Sequence, residues 1–517
     1  MKKRRYGILL LVCMAILFGS MVMAPKWTAA KEKVVVMGDY SAFPGLDPAL
    51  SHQGTVGAVL RNIFQGLVRY KFNSSMDLEG DLAESWSSSN DGLVYTFKLR
   101  DNIQWHKGFG KVTAQDVKFS FDRILDPQTR SVFIGEVGAT VKNVRVVDDR
   151  TVEISLKHRD ATFLHKCVRP RPVAIVSRKA VEKYGKDFNR NPIGSGPFVF
   201  ESISREQVVL TANKDYYEGP PKIDKVIWKI IPDMDTLVMA LLTGDVDMIW
   251  IFPREKTFLD RIKAGNCKLQ VINRGAWLQL LINPKIEPLG DIRVRRALAH
   301  AINRDEIITY VLSGMAEKLN SLVPKGYFGH TEIGLQRYEY DPQKAKELLA
   351  QAGYPKGLEI TFNSWNSPTA IPTVTAIVGQ LDKVGIRVNL DTADNPAYMK
   401  KVTGGTAAVA PYLASRSPDA DFPLMNFFHT AGFSPGTNLM RYNKCDMDID
   451  KARGELDKNK RIQTYHEIQK KLMEDLPAIP LFMMHYPTAY RSHLTGLPER
   501  DPGWGIDFYH IRFIETK

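Results

Sequence analysis

The segment between residues 283 and 314 constrains the fold more than any other part of this 517-residue chain. Pro284 and Pro288 bracket an extended stretch, because each proline fixes its own φ and disfavours helix in the residue before it. Asp291 is placed to cap a helix by accepting from its first free N–H groups, and Gly314 is placed to end it in a left-handed turn. The pattern predicts an extended crossing segment followed by an amphipathic helix.

The apolar residues of this helix recur at the spacing of one buried face. They are Val294, Ala297, Leu298, Ala301 and Ile302. The wetter side of the helix carries Arg293, Arg295 and Arg296. A charged run of this kind is typical of a solvated face rather than of a ligand site.

Residues 291–307 read D-I-R-V-R-R-A-L-A-H-A-I-N-R-D-E-I. This run resembles the signature of extracellular solute-binding family 5, the peptide, nickel and oligosaccharide binding proteins that serve ABC importers. Other phrases resemble the family in the same order along the chain: L-A-E-S-W, D-G-L-V-Y-T-F-K-L-R, W-H-K-G, T-A-Q-D-V, P-I-G-S-G-P-F and P-A-I-P-L. The resemblance therefore spans almost the whole chain after its first thirty residues.

The resemblance implies an α/β protein with the two-lobed periplasmic-binding-protein fold (type II, cluster C) and an extra inserted domain. Carried over to this chain, the family layout assigns residues 31–72, 196–284 and 486–517 to lobe I. It assigns residues 73–195 to the inserted small domain and residues 285–485 to lobe II. The implied function is to capture a solute between the lobes and deliver it to the membrane subunits of an ABC permease.

The α/β class also follows from the pattern of residues 226–250. A β-branched run, an Asp233-capped helical stretch and a second apolar run ending at Trp250 form a strand–helix–strand unit. Such a unit calls for parallel strands in one sheet.

The first thirty residues have the composition of a secretory signal peptide. Basic residues at positions 2–5 precede an apolar run, and small residues at 28–30 predict cleavage after Ala30. We therefore expect a periplasmic protein, with an uncleaved membrane anchor as the alternative because the apolar run approaches spanning length.

Removal of that segment takes away five basic residues and no acidic ones, which lowers the formal net charge from +13 to +8. No dense basic block follows it, so we expect no nucleic-acid partner. Cys167, Cys267 and Cys445 remain, and their wide spacing argues against a zinc site. We expect a monomer without a metal or other cofactor.

A secreted hydrolase is the alternative from a different functional class. His466 and Glu467 stand in H-E-I-Q-K, which lacks the second histidine of a zinc-protease helix, and Ser195 lacks the glycines of a nucleophile elbow. The residues of a catalytic triad come together in space and need not be close in sequence, so the hydrolase alternative stays open. The absence of a recognisable set favours a binding protein over an enzyme.

Ligands of open α/β sheets lie beyond the carboxyl ends of the strands. In the later half of the chain this rule selects Trp365 and Asn366, and in the earlier half it selects Tyr40 and Trp250. Two tryptophans with a few charged groups suit an amphipathic solute. These residues are the first part of the predicted site.

The resemblance adds two charged residues to the site. In S-R-S-P-D-A-D-F-P, Asp419 falls on the aspartate that holds the α-ammonium group in peptide-binding members, while Arg416 replaces a tryptophan. Arg416 either takes over the solute carboxylate or forms a salt bridge that closes the lobes, or else the solute is not an ordinary short peptide. We expect a peptide or peptide-like solute, with an opine, an oligosaccharide or a nickel chelate as alternatives.

Overall fold

The computed structural model describes residues 32–51, 53–74, 76–168, 172–251, 256–367, 370–415, 418–433, 436–499 and 505–514. The chain divides into two compact units, residues 1–33 and 34–517, and the fold given below is that of the second. The predicted signal segment and Arg416 lie outside the described residues. Within the ranges given above, none of the helices has the length and apolar character needed to span a bilayer.

The strands are numbered in chain order. They are β1 (Val34–Asp39), β2 (Val68–Tyr70), β3 (Leu78–Gly80), β4 (Ala83–Ser88), β5 (Val94–Leu99), β6 (Val141–Val146), β7 (Thr151–Leu156), β8 (Phe198–Ile203), β9 (Gln207–Ala212), β10 (Lys225–Ile230), β11 (Met248–Trp250), β12 (Cys267–Ile282), β13 (Ala316–Lys318), β14 (Leu358–Trp365), β15 (Ile386–Ala393), β16 (Val409–Ser415), β17 (Ala478–Arg491), β18 (Leu494–Thr495) and β19 (Arg512–Phe513).

The α-helices are numbered in the same way. They are α1 (Gly54–Ile63), α2 (Ala114–Leu125), α3 (Ile134–Thr140), α4 (Phe163–Lys166), α5 (Arg178–Tyr184), α6 (Met234–Thr243), α7 (Lys256–Ala264), α8 (Ile292–Ala301), α9 (Arg304–Tyr310), α10 (Pro342–Gln351), α11 (Ile371–Asp382), α12 (Asn395–Thr403), α13 (Asp421–Phe428), α14 (Asp446–Gly454) and α15 (Lys458–Asp475).

One large mixed sheet runs through the second unit. Its strand order is β15-β14-β16-β12-β17-β11-β1-β10-β9-β8, and β13 also pairs with β17. The predicted strand–helix–strand unit is confirmed: β10 and β11 flank β1 and both pair with it in parallel. Asp233 caps the connecting helix α6 by accepting from the N–H of Thr236. A separate four-stranded sheet, in the order β4-β5-β7-β6, lies within the predicted small domain.

The buried apolar side chains of the described residues collect into two large cores. One draws on residues 276–484, and the other on residues 35–248 and 490–511. A smaller cluster covers the outer face of β11 with residues of α6 and α7. The two large cores meet along β17, whose residues 478–484 contribute to the first while Tyr490 contributes to the second. The domain boundaries given above remain a prediction.

The helix predicted over the key segment is shorter than expected. Asp291 caps α8 as predicted, by accepting from the N–H of Arg293, and the five apolar residues of its predicted face are buried. The prediction that one helix continues to Gly314 is wrong, because α8 ends at Ala301 and Asn303 caps a second helix, α9. The side chain of Gln380 binds both the N–H and the carbonyl oxygen of Asn303, which fixes this break.

The arginines of α8 hold backbone rather than facing only solvent. Arg295 donates to the carbonyl oxygens of Asp475 and Leu476, at 2.9 and 3.0 Å, and to two more at Leu289 and Gly290. The last carbonyls of a helix have no partner inside it, so cations near them are favourable. Arg295 thereby ties α8 to the end of α15.

Candidate ligand-binding cleft

The predicted ligand loops of the later half share one edge of the sheet. β14 pairs in parallel with β15 and with β16. Their carboxyl ends, at Trp365, Ala393 and Ser415, therefore point the same way. This confirms the strand directions on which the prediction of Trp365 and Asn366 was based.

The predicted residues of the earlier half lie at an edge that faces the first. β1 and β11 are parallel, so Tyr40 and Trp250 stand together at their carboxyl ends. β11 is antiparallel to β17, and both β16 and β17 are antiparallel to β12. β11 therefore runs against β16, and the two sets of carboxyl ends point toward each other.

The separation of the facing edges along the strand direction follows from the register along β17. Ser415 is opposite Ala276, which is opposite Met484, while Trp250 is opposite Thr488. The four residues from Met484 to Thr488 span about 13 Å at the rise of an extended strand. Tyr486 lies midway, so this stretch of β17 forms the floor of a cleft between the two edges.

Trp365 stands at the end of β14 with its ring held in place. The ring packs against that of Tyr398, with centroids 5.4 Å apart. Trp365 is half-buried and also lines a cavity between the sheet and α11. The next residue, Asn366, is exposed, and its N–H donates to the carbonyl of Ala393 at 2.7 Å. Its side chain is left at the surface of the cleft.

Tyr40 and Trp250 are both partly buried at the opposite edge. Burial, reinforced by the nearby carboxylate of Asp39, raises the pKa of Tyr40 to about 12. Its hydroxyl therefore stays protonated at neutral pH and keeps a hydrogen to donate. Together the two residues offer aromatic surface with polar tips, which suits an amphipathic ligand.

Asp419 is buried rather than open to the cleft. Its carboxylate pairs with the guanidinium of Arg461, accepts from the hydroxyl of Tyr465 at 3.4 Å, and accepts from the N–H of Asp421 at 2.9 Å. Burial alone would lower the pKa of Arg461, but Asp419 outweighs it and the pKa lies above its ordinary value. The predicted contact between Asp419 and a solute amine stays a prediction, and it would have to compete with Arg461.

A second group of buried charges lies next to this pair and joins the predicted small domain to the region of the core that draws on residues 276–484. Lys166 donates to Asp160 at 2.5 Å, and Arg453 lies 3.7 Å from Asp160 and 3.6 Å from Asp421. The carbonyl of Arg453 also accepts from the N–H of Ala161. Burial would raise the pKa of Asp160, yet the two cations hold it below its usual range, whereas burial raises that of Asp421.

Sequence reasoning missed Tyr486 and Arg461. Arg461 stands four residues before Tyr465 in a helical pattern, so its place on the inner face of α15 could be predicted from the sequence. Its pairing with Asp419 was not, because the two residues are 42 positions apart. Tyr486 could be placed only once the register of β17 was known. Arg416, the remaining predicted residue, is not among those described.

Comparison with known proteins identifies this arrangement. The family model for bacterial extracellular solute-binding proteins, family 5, matches residues 77–435. The chain belongs to this family. Glutathione-binding protein GsiB of Pectobacterium atrosepticum is 30% identical over 491 residues, covering 92% of this chain and 93% of the relative. Heme-binding protein A of Haemophilus influenzae is 30% identical over 84% of each chain.

Solved structures of family 5 relatives share the fold. MoaA of A. tumefaciens R10, in complex with mannopinic acid, matches with a TM-score of 0.83 and 31% identity over 94% of this chain and 100% of that one. The periplasmic binding protein DppA of Helicobacter pylori, in complex with the peptide STSA, matches with a TM-score of 0.82 and 27% identity over 93% and 98%. The protein therefore has the two-lobed periplasmic-binding-protein fold of cluster C and is a solute-binding component of an ABC importer.

Proposed function

We propose that the protein captures a peptide or peptide-like solute outside the cytoplasm, in the cleft over Tyr486, and presents it unchanged to an ABC permease. Family membership supports solute binding, and the names of two relatives, a glutathione-binding protein and a peptide-bound DppA, support the solute class. Export rests on the composition of the first thirty residues and on the periplasmic description of DppA.

The facing strand ends carry this proposal. An offset of about 13 Å along the strand direction matches three or four residues of extended peptide at roughly 3.3–3.6 Å each. Aromatic side chains stand on both sides of it, at Trp250 and Trp365. A solute held between two such surfaces favours the closed arrangement, because only that arrangement lets it contact both.

We assign the contacts by side of the cleft. Tyr40 and Trp250 contact the solute from one edge, and Trp365 and Asn366 contact it from the other. Arg416 is assigned to a solute carboxylate on the strength of its place in the sequence. Asp419 is assigned to the solute amine only if that amine displaces Arg461, since a buried carboxylate gains little from a second partner while its first is in place.

An opine is the second candidate. The engagement of Asp419 by Arg461 favours it, because the carboxylate that holds a peptide amine in other members already has a cationic partner here. The likeness to mannopinic-acid-bound MoaA, at 31% identity, points in the same direction. A sugar–amino acid conjugate would use the same aromatic surfaces.

A thermal-shift screen followed by calorimetry tests the proposal. The probes are glutathione, a set of di- and tripeptides, mannopinic acid, an oligosaccharide and nickel with histidine. A probe at a hundred times its Kd adds about 2.7 kcal/mol to the native state, which raises the unfolding temperature. Trp250→Ala and Trp365→Ala should each weaken the same probe, since each removes one wall of the site.

Three results would contradict the proposal. If mannopinic acid binds and no peptide does, an opine replaces a peptide as the proposed solute. If a bound probe is recovered chemically altered, as judged by mass spectrometry after incubation, the protein acts as an enzyme. Binding that survives both tryptophan substitutions undiminished would place the site elsewhere.

A further inference from the structure

We infer that the cavity beside Trp365 receives a small branched aliphatic group of the solute, and that it makes the site selective for solutes carrying one. This inference rests on the proposed function, because the cavity belongs to the same cleft. It goes further by naming which chemical group the site prefers and which residues set that preference.

The cavity is walled mainly by aliphatic side chains, while Thr373, Trp365 and Tyr486 add polar groups to its lining. Leu278, Leu413 and Met484 come from one face of the sheet, and Val374 and Ile377 come from α11. A polar solute group placed among them would lose its hydrogen bonds to water without replacement. The chemistry of the walls therefore selects apolar groups.

The cavity is continuous with the cleft on a single face of the sheet. Leu413 is opposite Leu278 in the register, and Trp250 is opposite Thr488. Met484, Tyr486 and Thr488 are alternate residues of β17, so their side chains share a face. Tyr486 lines the cavity and also lies midway across the cleft floor. A solute lying over Tyr486 can therefore direct a side group into the cavity.

Exposure and size favour a small aliphatic group. Leu413 is 38% exposed, although Leu278 and Met484, which line the same cavity, are only 7% and 8% exposed. A solute that covers Leu413 removes apolar surface from water at the end of a strand. The cavity volume is about 30 Å³, on a scale where one water needs about 10–15 Å³. That space suits the end of a valine or leucine side chain better than an indole ring.

Matched peptides test the inference directly. Each residue of Gly-Gly-Gly is replaced in turn by Leu or by Asn, which have nearly the same shape but differ in polarity. Calorimetry on the purified protein should find one position at which the Leu peptide binds about tenfold more tightly than the Asn peptide. At the other two positions the two peptides should bind within about threefold of each other.

Two variants locate the effect. Leu413→Trp fills the cavity mouth and should reduce the Leu preference, measured as the ratio of Leu-peptide to Asn-peptide affinity, to within about twofold. Val147→Trp is the matched control, because Val147 is also exposed, at 45%, but lies beyond β6 in the four-stranded sheet. It should keep the preference, and circular dichroism melts check that both variants fold.

The outcomes distinguish failure of the cavity inference from failure of the proposed peptide binding. Equal binding of Leu and Asn peptides at every position overturns the cavity inference and leaves peptide binding intact. A Leu preference that persists in Leu413→Trp also overturns it, because the preference then arises elsewhere. Failure of every peptide to bind overturns the peptide function itself, and the cavity inference with it.

Discussion

Two regions of this protein use buried and half-buried cations in different ways. At the junction of α8 and α15, Arg295 donates to backbone carbonyl oxygens, which are neutral and cannot be mutated away. Around Asp419, the cations Arg461 and Arg453 meet carboxylates on other elements. The first arrangement completes a helix end, whereas the second depends on both members of each pair. Arginines that look alike in sequence should therefore differ in how much stability the fold loses when one partner is removed.

The largest expected effect is at the carboxylate-paired region. Arg461→Ala leaves the Asp419 carboxylate buried with only the Tyr465 hydroxyl and one N–H, and should lower the free energy of unfolding by about 3–5 kcal/mol. Denaturant unfolding of native and variant protein measures the loss. The double variant Arg461→Met with Asp419→Leu should recover most of it, because it removes both charges. A loss below about 1 kcal/mol for the single variant would show that Asp419 does not depend on Arg461.

The next effect concerns a histidine that binds a carbonyl oxygen. The Nε2 of His106 lies 2.9 Å from the carbonyl oxygen of Gly196, and burial lowers the pKa of His106 to about 4. Its pKa is lower in the folded than in the unfolded chain, so its stabilising effect is present above about pH 6.5 and is lost as the pH falls toward 4. The expected loss over that window is about 3 kcal/mol.

His106→Gln isolates this contribution, because glutamine can donate to Gly196 but does not titrate. Unfolding by urea at several pH values should show the native protein losing stability faster than the variant between pH 6.5 and 4. Parallel curves for the two proteins would mean that His106 does not stay neutral in the fold.

The smaller effects test the carbonyl-binding region. Arg295→Lys keeps the charge but cannot reach several carbonyl oxygens at once, and should cost about 2 kcal/mol. Arg293→Ala is the comparison from the same helix, because Arg293 is exposed, pairs with Asp291 and donates to the carbonyl oxygen of Gln351, whereas Arg295 donates to four carbonyl oxygens. It should lower the denaturation midpoint less than Arg295→Lys does, because it removes fewer carbonyl contacts. If both variants shift the denaturation midpoint equally, the hydrogen bonds from Arg295 to the end of α15 contribute no extra stability. The contrast between the two regions would then be wrong.

Local patterns in the sequence were sufficient for much of the fold. The cap at Asp291, the buried face of α8 and the parallel strands around β1 follow from spacing within short windows. The break between α8 and α9 did not, because it depends on Gln380, 77 residues away from Asn303. Propensity alone cannot reveal a partner that only tertiary structure supplies.

The residues of the candidate site also divide into those that local sequence predicts and those that depend on long-range structure. Trp365 and Trp250 were selected as candidates by the rule that ligands lie beyond strand ends, which needs only strand boundaries. The role of Tyr486 needed the register of β17 against β11 and β12. The environment of Asp419 needed the position of α15. Residues placed by long-range pairing were the ones that sequence reasoning could not assign.

The position of β17 has a consequence for the order in which the protein folds. This strand lies in the middle of the large sheet, between β12 and β11, yet it comes from residues 478–491 near the end of the chain. Contacts between distant parts of a chain form late, because loop closure is costly. The large sheet therefore cannot close until residues 478–491 have been synthesised. A chain ending at residue 477 should show no cooperative unfolding transition, as circular dichroism during heating would reveal.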